Sequence, residues 1–398
     1  MTINKLKIFK NLIFSKWNFK KPNKKNILIY DRASEHFSRY LFPKKSYEIL
    51  DSRYESTNIY IFCITFLKSG IKNFKDNYKK NFIEFVSPKI VFTSIDNNPA
   101  FYNLKNIYDK PFYISVQNGM RDNIFYKECK KIIQRKKKKL KADHIFLFGE
   151  NEKKRFSKII EGNIHCFGNI INNHYLIRPS QKKINSIMYI SQYNLLNISR
   201  YMATGGNKLA NLLEEEKRIC GHLNKFCKKR NFKLIFCAKT GVLPLKSYYR
   251  NVLLKDISAI KAIINKNILS KGDWIYHPGG NVFKTYKKLN EQQMVVFSHS
   301  TLGFEALAKG LKCAIFYKHF PSKDCNVKYP RSGVFWTNSK NYYDSKKILT
   351  RVIGLNNKRW KKIANKYSSE ILTYDPANVK IKKILKNILK KNLDKYQK

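Results

Sequence analysis

The chain has 398 residues, 43% of them hydrophobic and 14% aromatic, and a formal net charge of +53 at pH 7. At roughly 100–200 residues per domain the length implies two domains, and the apolar content excludes an intrinsically disordered protein. The charge draws the protein to anionic surfaces at low ionic strength. Lys far outnumbers Arg, the residue that reads nucleic-acid bases bidentately, so no specific nucleic-acid partner is expected. A coding bias toward Lys, Ile, Asn and Tyr explains the charge as well as a functional demand does.

Residues 1–24 form a basic tail that mixes Lys with Ile, Phe, Leu and Trp17. Its apolar runs are too short and interrupted for a signal peptide, and no stretch of the chain reaches the ~20 apolar residues that span a bilayer. A frayed tail is the simple expectation; as an interfacial anchor it would set Trp17 and Phe19 at headgroup level. The next apolar runs are Asn26–Tyr30, Ser46–Leu50, Lys89–Thr93, Phe112–Val116 and His144–Phe148. A second series follows: Ser186–Ser191, Phe232–Cys237, Asp273–Tyr276, Met294–Phe297, Cys313–Tyr317 and Gly333–Thr337. These runs are continuous rather than alternating, as in strands buried on both faces of a parallel sheet. Helix-like stretches separate them, which implies βαβ units.

The break between the two series, Asn172–Asn185, is poor in apolar residues and reads as a linker. The expectation is an α/β protein of two Rossmann-like domains facing across a cleft, an N-terminal one over 25–178 and a C-terminal one over 185–375. A basic amphipathic helix over 376–398 carries Ile381, Leu385, Ile388 and Leu389 on one stripe. The basic run Lys130–Lys141 reads as the solvated face of a helix. The eight Cys form no CxxC pair and no zinc spacing, and read as buried thiols in a reducing compartment.

In open α/β sheets ligands bind beyond the carboxyl ends of the strands. The most informative strand end is Met294–Phe297, which runs into Ser298-His299-Ser300-Thr301 and a helix-like stretch stopped by Gly310. Ser300 or Thr301 can cap that helix, and its free N–H groups and positive dipole end favour a phosphate. Gly303 would let the backbone approach a ligand, and Glu305, one turn in, would accept from ribose hydroxyls. A second strand ends at His277-Pro278. Pro278 fixes the turn, and His277 beside a phosphate would donate a hydrogen bond and, protonated, add charge. Lys239, Arg331 and Arg121 are candidate cations for a leaving nucleotide, and Gln192 is a candidate base or ribose contact. No Asp-x-Asp pair is present for a divalent metal, so no metal is expected.

Two Rossmann-like halves with a His-Pro strand end and a later Ser-x-Ser-Thr helix start resemble GT-B glycosyltransferases, nearest in motif to bacterial sialyl-, polysialyl- and Kdo-transferases. In those families the two motifs hold the phosphate of a CMP-sugar, so a CMP-linked donor is favoured, with UDP-, GDP- or CDP-linked donors as alternatives. More closely, the chain resembles bacterial surface carbohydrate biosynthesis proteins. That resemblance rests on Leu50-Asp51-Ser52-Arg53-Tyr54-Glu55, Ile95-Asp96-Asn97-Asn98, Ser115-Val116-Gln117-Asn118-Gly119-Met120-Arg121, Lys328 to Trp336 and Tyr374-Asp375-Pro376-Ala377-Asn378, and covers most of 26–380.

The sialyltransferase-like families carry an acidic pair before Gly in the first domain, which supplies the general base. Here the comparable residues are Gln117-Asn118-Gly119, and an amide takes no proton from a hydroxyl. Asp96 is the replacement expected, Asp31 and Asp122 are reserves, and Asn118 and Arg121 join the catalytic set. The resulting expectation is a cytoplasmic enzyme at the inner membrane face. It would transfer a sugar or related unit, with inversion, from a nucleotide sugar to a glycan or lipid-linked acceptor of surface polysaccharide or lipopolysaccharide. A nucleotide-sugar epimerase of the same layout and a non-catalytic polyanion-binding protein are the competing classes.

Overall fold

The structure, a computed structural model, describes residues 16–52, 56–71, 73–121, 123–176, 184–192, 207–238, 274–278, 282–298, 300–316 and 331–390. The chain divides into two compact units, Met1–His174 with Thr373–Lys398, and Tyr175–Leu372.

The first unit is built on six parallel strands. In chain order they are β2 (Ile27–Tyr30), β3 (Tyr47–Leu50), β5 (Ile90–Thr93), β6 (Phe112–Val116), β7 (Leu140–Leu147) and β8 (Ile160–Cys166), and in space they run β3-β2-β5-β6-β7-β8. A two-stranded parallel ribbon, β1 (Lys16–Asn18) with β4 (Ser56–Asn58), stands apart from them. The sheet is apolar on both faces because alternate residues enter different cores. Leu28, Tyr30 and Val91 point into one, beneath the helices Ile59–Ser69 and Phe74–Val86. Ile27, Ile29, Ile90 and Phe92 point into the other. A period of two with both sets apolar is the continuous run seen in the sequence.

The β1–β4 ribbon was not read from the sequence, and its first strand replaces the frayed end expected at Lys16–Asn18; in the main sheet two further assignments needed the structure. β7 begins at Leu140, inside the basic run, because the helix Asn123–Lys136 ends and Lys137 turns with φ 51°. β8, Ile-Glu-Gly-Asn-Ile-His-Cys, lies at the sheet edge and exposes Glu161, Gly162 and Asn163, so it lacks an apolar run.

The second unit carries β9 (Ile184–Ile190), β10 (Lys233–Ala238), β11 (Trp274–Pro278), β12 (Gln292–Phe297), β13 (Cys313–Phe316) and β14 (Trp336–Thr337), in the spatial order β11-β10-β9-β12-β13-β14. Every pairing is parallel. Counted from β9, this is the 3-2-1-4-5-6 order of the doubly wound dinucleotide fold, whose direction of winding reverses between its first and fourth strands. Gly333, close to β14, is required by packing: a Cβ there would lie 2.1 Å from the Trp336 ring.

After the second unit the chain returns to the first. Thr373 donates its N–H to the Phe148 carbonyl at 2.7 Å, Gly168 bridges Tyr374, and the buried Asn378 side chain donates to the Ile170 carbonyl. The helix Val379–Lys390 then buries Ile381, Leu385 and Ile388 in the core that holds Ile27, Ile29 and Phe92. Tyr374-Asp375-Pro376-Ala377-Asn378 is thus the turn that docks this helix, with Ala377 and Asn378 both at positive φ and the Asp375 carboxylate capping Lys380 N–H.

Gly168 is the tightest point of that return. Its φ is +86°, and a Cβ there would stand 2.0 Å from the Thr373 carbonyl oxygen. Gly168→Ala is expected to cost about 2 kcal/mol or more, read as a fall of roughly 4–8 °C in Tm by scanning calorimetry. Gly221→Ala, whose Cβ meets nothing within 4 Å, is expected to leave Tm within a degree or two.

Candidate functional site

The reversal point of the second sheet lies between the carboxyl ends of β9 and β12. β9 ends at Ser191 and Gln192, and beneath them sits Glu216 of the long helix Asn207–Arg230. Its carboxyl accepts from the Ser191 hydroxyl at 2.7 Å and from the Gln192 N–H at 2.8 Å. Burial pushes this carboxyl up to about 7. Glu216 was not singled out in the sequence; the run Glu214-Glu215-Glu216 in a strongly basic chain was the available signal, and only a helix register shows which of the three faces inward.

β12 ends at Ser298, followed by Ser300 and the helix Thr301–Ala308. Ser300 stands at the N-cap in extended conformation, but its hydroxyl makes no capping hydrogen bond. The helix start therefore keeps its uncapped first turn turned toward the strand ends, where an anion is favoured. Two expected ligand roles give way to packing roles. A Cβ on Gly303 would lie 2.3 Å from the Phe297 ring, so this glycine seats the helix on its own strand rather than admitting a ligand. Glu305 is buried and accepts the Tyr286 hydroxyl at 2.5 Å, so it points into the core rather than toward a ribose. Burial raises this carboxyl to about 7 and lowers the neighbouring Lys309 ammonium to about 8. Lys309 also donates to the Tyr175 carbonyl at 2.9 Å and lies over the Tyr286 ring.

His277 and Pro278 do not join this group. They end β11, the edge strand, and β10 and β9 stand between them and β12. Three strand spacings amount to roughly 14 Å. The His277 ring pairs with the Thr285 hydroxyl at 3.2 Å, and burial lowers its pKa below the usual histidine range. His277 is therefore a neutral partner of the next helix rather than a cation on the helix start. Arg331 lies beside β14, two strands from β12 on the other side, which is roughly 10 Å. Lys239 lies outside the described residues, as does Asp122.

In the first unit the strand ends gather a charged cluster. Asp96, after β5, is fully buried; it takes a bidentate pair from Arg121, whose Nε lies at 2.6 Å, and the Asn118 N–H at 3.2 Å. Arg121 also donates to the Asn118 side chain, and its own carbonyl accepts from Arg155 at 3.3 Å. Arg155 stacks 3.7 Å over the Tyr126 ring and pairs with Glu152, which also accepts the Tyr126 hydroxyl. The expected base role of Asp96 is corrected by this arrangement: a general base must reach its proton within about 2.6–3.2 Å, and Asp96 is sealed off with both oxygens committed. The reserve, Asp31, is buried too and accepts from Ala33 N–H and the Ser52 hydroxyl. Gln117 is also structural, its side chain bonded to Phe148 N–H at 2.8 Å and to the Gly119 carbonyl at 2.9 Å.

Among the described carboxyls directly following strands of this sheet, Asp31, Asp51 and Asp96 are buried and Glu150 is not. Glu150 opens the helix Glu150–Phe156 after β7, and the Cys166 thiol and Lys153 hold its carboxyl below the usual range. No group of three or more His, Cys, Asp and Glu among the described residues is placed to hold a metal ion.

Comparison with known proteins bears on this geometry. A family described as "putative O-antigen biosynthesis protein" matches residues 114–389, which include Asn118, Arg121 and the β9–β12 strand ends. The chain belongs to that family. No curated protein matches by sequence. Among solved structures, this O-antigen biosynthesis family member is similar to a UDP-N-acetylglucosamine 2-epimerase from Listeria monocytogenes, itself so described provisionally, at 13% identity, over 92% of this chain and 97% of that one, with a TM-score of 0.51. It is also similar to sucrose-phosphate synthase from Thermosynechococcus elongatus, at 8% identity, over 92% and 99% of the two chains, with a TM-score of 0.50. At such identities the likeness is one of fold: an α/β chain of GT-B type with two Rossmann-like halves.

Two outcomes follow from the site. Arg121→Ala strands a buried carboxylate and is expected to cost about 3 kcal/mol in urea unfolding, while Asp96→Asn combined with Arg121→Met recovers much of that loss. Glu216 gives a pH signature. Its carboxyl holds a proton to about pH 7 in the folded state but only to about 4.5 when unfolded. Its contribution is therefore complete below pH 4.5 and is lost as the pH rises to 7. Burial lowers the pKa of His144, His165 and His277, which shifts wild type and variant alike in the opposite sense, so the comparison carries the prediction: relative to Glu216→Gln, the wild type is expected to lose stability on the order of 2 kcal/mol between pH 5 and 7.5. Glu305 contributes in the same direction, so a residual slope persists.

Proposed function

We propose that this family member is a glycosyltransferase-like enzyme of surface polysaccharide or lipopolysaccharide synthesis, transferring a sugar or related unit from a nucleotide donor to a glycan or lipid-linked acceptor. The observation that carries the proposal is the reversal of winding between β9 and β12, at which Ser191, Gln192, Ser298, Ser300 and the uncapped helix start Thr301–Ala308 converge. Reversal points of doubly wound sheets are where nucleotides bind, and an uncapped helix start offers N–H groups and a positive dipole end to their phosphates. The second unit is the donor-binding half, and the first takes the acceptor. The motif resemblance favours a CMP-linked donor. Transfer proceeds with inversion and without a metal.

Glu150 is the base proposed for the acceptor hydroxyl. Among the described carboxyls directly following strands of the first sheet it is the accessible one, and its neighbours keep it ionised at neutral pH, as a proton acceptor requires. Arg121 and Asn118, fixed by Asp96, line the same row of strand ends and position the acceptor.

The reading is tested by isothermal titration against CMP-, UDP-, GDP- and CDP-linked sugars. At least one is expected to bind, and Ser300→Ala with Thr301→Val is expected to weaken it tenfold or more. Glu150→Gln is expected to retain donor affinity while losing at least a hundredfold in turnover. No binding by any donor would sink the proposal; interconversion of sugar isomers without acceptor would replace it with an epimerase.

A further inference from the structure

The helix Ile59–Ser69, Ile-Tyr-Ile-Phe-Cys-Ile-Thr-Phe-Leu-Lys-Ser, is apolar around nearly its whole circumference, yet it lies on the outside of the first unit. Its inner face is set by Ile61 and Thr65, both fully buried. At 100° per residue, Tyr60, Cys63, Phe66 and Leu67 fall on the opposite arc, and all four are exposed, Leu67 to 85% and Phe66 to 51%. Ile71, just beyond the cap at Gly70, is 61% exposed. A globular helix normally covers its outer arc with polar residues; a cluster of large apolar side chains there marks an interaction surface.

The ribbon of β1 and β4 extends this surface. Asn58 of β4 caps the helix through Ile61 N–H, and Trp17 of β1 packs edge-on against Phe62 with ring centroids 5.3 Å apart. Phe19, directly after β1, is 72% exposed. Both contributing segments are basic, and the acids beside them, Glu48 and Asp51, are bonded to Asn23 and to Arg32 and Ser56. Residues 16–30 hold five Lys, at 16, 20, 21, 24 and 25, and no Asp or Glu; residues 56–71 add Lys68 and again no acid. Exposed aromatic and aliphatic side chains beside a Lys-rich segment match the interface of an anionic bilayer, where apolar groups enter the acyl boundary and ammonium groups meet lipid phosphates.

We infer that the outer arc of the helix Ile59–Ser69, with Phe19 and the Lys of β1 and its following segment, docks this protein on an anionic phospholipid surface. The surface belongs to the first unit and the β9–β12 strand ends to the second, and docking does not depend on the proposed transfer. A titration of donor and a vesicle assay can therefore fail independently.

The test is co-sedimentation of the full-length protein with vesicles of phosphatidylcholine alone and with 30% phosphatidylglycerol. Binding is expected to the anionic vesicles and not to the neutral ones, falling as salt is raised from 50 to 300 mM. Phe66→Ser with Leu67→Ser, both exposed and so compatible with folding, is expected to lower the partition coefficient at least tenfold, with Tm unchanged. Lys136→Glu with Lys138→Glu, which makes the exposed basic run more acidic and leaves the apolar arc intact, is expected to lower it less. Equal affinity of the serine variant and the wild type would overturn the inference, since the charge of the whole surface would then suffice. Light scattering that shows a dimer which the serine variant abolishes would assign the arc to a second copy instead.

Discussion

Two parallel sheets buried on both faces govern everything else in this protein. A strand whose every side chain enters a core has no face left for chemistry, so polar groups collect where the backbone leaves the sheet. At those ends charged and polar residues are found in sequence order after their strands: Asp31, Asp51, Asp96, Arg121 and Glu150 in the first unit, Gln192 and Ser298 in the second. The same constraint decides their fate. A carboxylate placed next to a dry core must find a partner or give up its charge. Asp96 takes the first course through Arg121; Glu216 and Glu305 take the second.

The strands were legible in the sequence because double burial writes itself as uninterrupted apolar runs. The edge strand β8 was not, since one of its faces is wet and Gly162 and Asn163 interrupt it. Strand order is a different kind of information. His277-Pro278 and Ser298–Thr301 follow successive strands in the chain, which invites placing them side by side, yet β9 and β10 separate them. Winding outward from the middle of a sheet puts consecutive strands on opposite sides of its first strand, and no local pattern records where that jump occurs.

Residue identity was a surer guide than residue role. Gly303, Gly333, Gln117 and the Tyr374–Asn378 turn all stand out in the sequence, and each is tied to a specific demand of the fold: a helix pressed on the Phe297 ring, a turn closed by Trp336, a strand end sealed by an amide, a helix steered back to the first sheet. Packing demands and ligand demands select the same small and polar residues, and only the neighbouring atoms tell them apart. Glu150 shows the reverse case. It sits in an unremarkable stretch, Phe148-Gly149-Glu150-Asn151, and gains meaning once Asp31, Asp51 and Asp96 prove to be buried.

The return of the chain to its first unit has a consequence for biosynthesis. Residues 1–174 emerge from a ribosome long before Thr373–Lys390, and until those last residues arrive the sheet face bearing Ile27, Ile29, Phe92 and Phe146 lacks its covering helix. The whole of the second unit is made in that interval. The N-terminal half must therefore wait as a sticky, half-closed sheet, and Thr373–Lys390 acts as the latch that closes it. A stop codon at Thr373 would leave the second unit's sequence intact and disable the first.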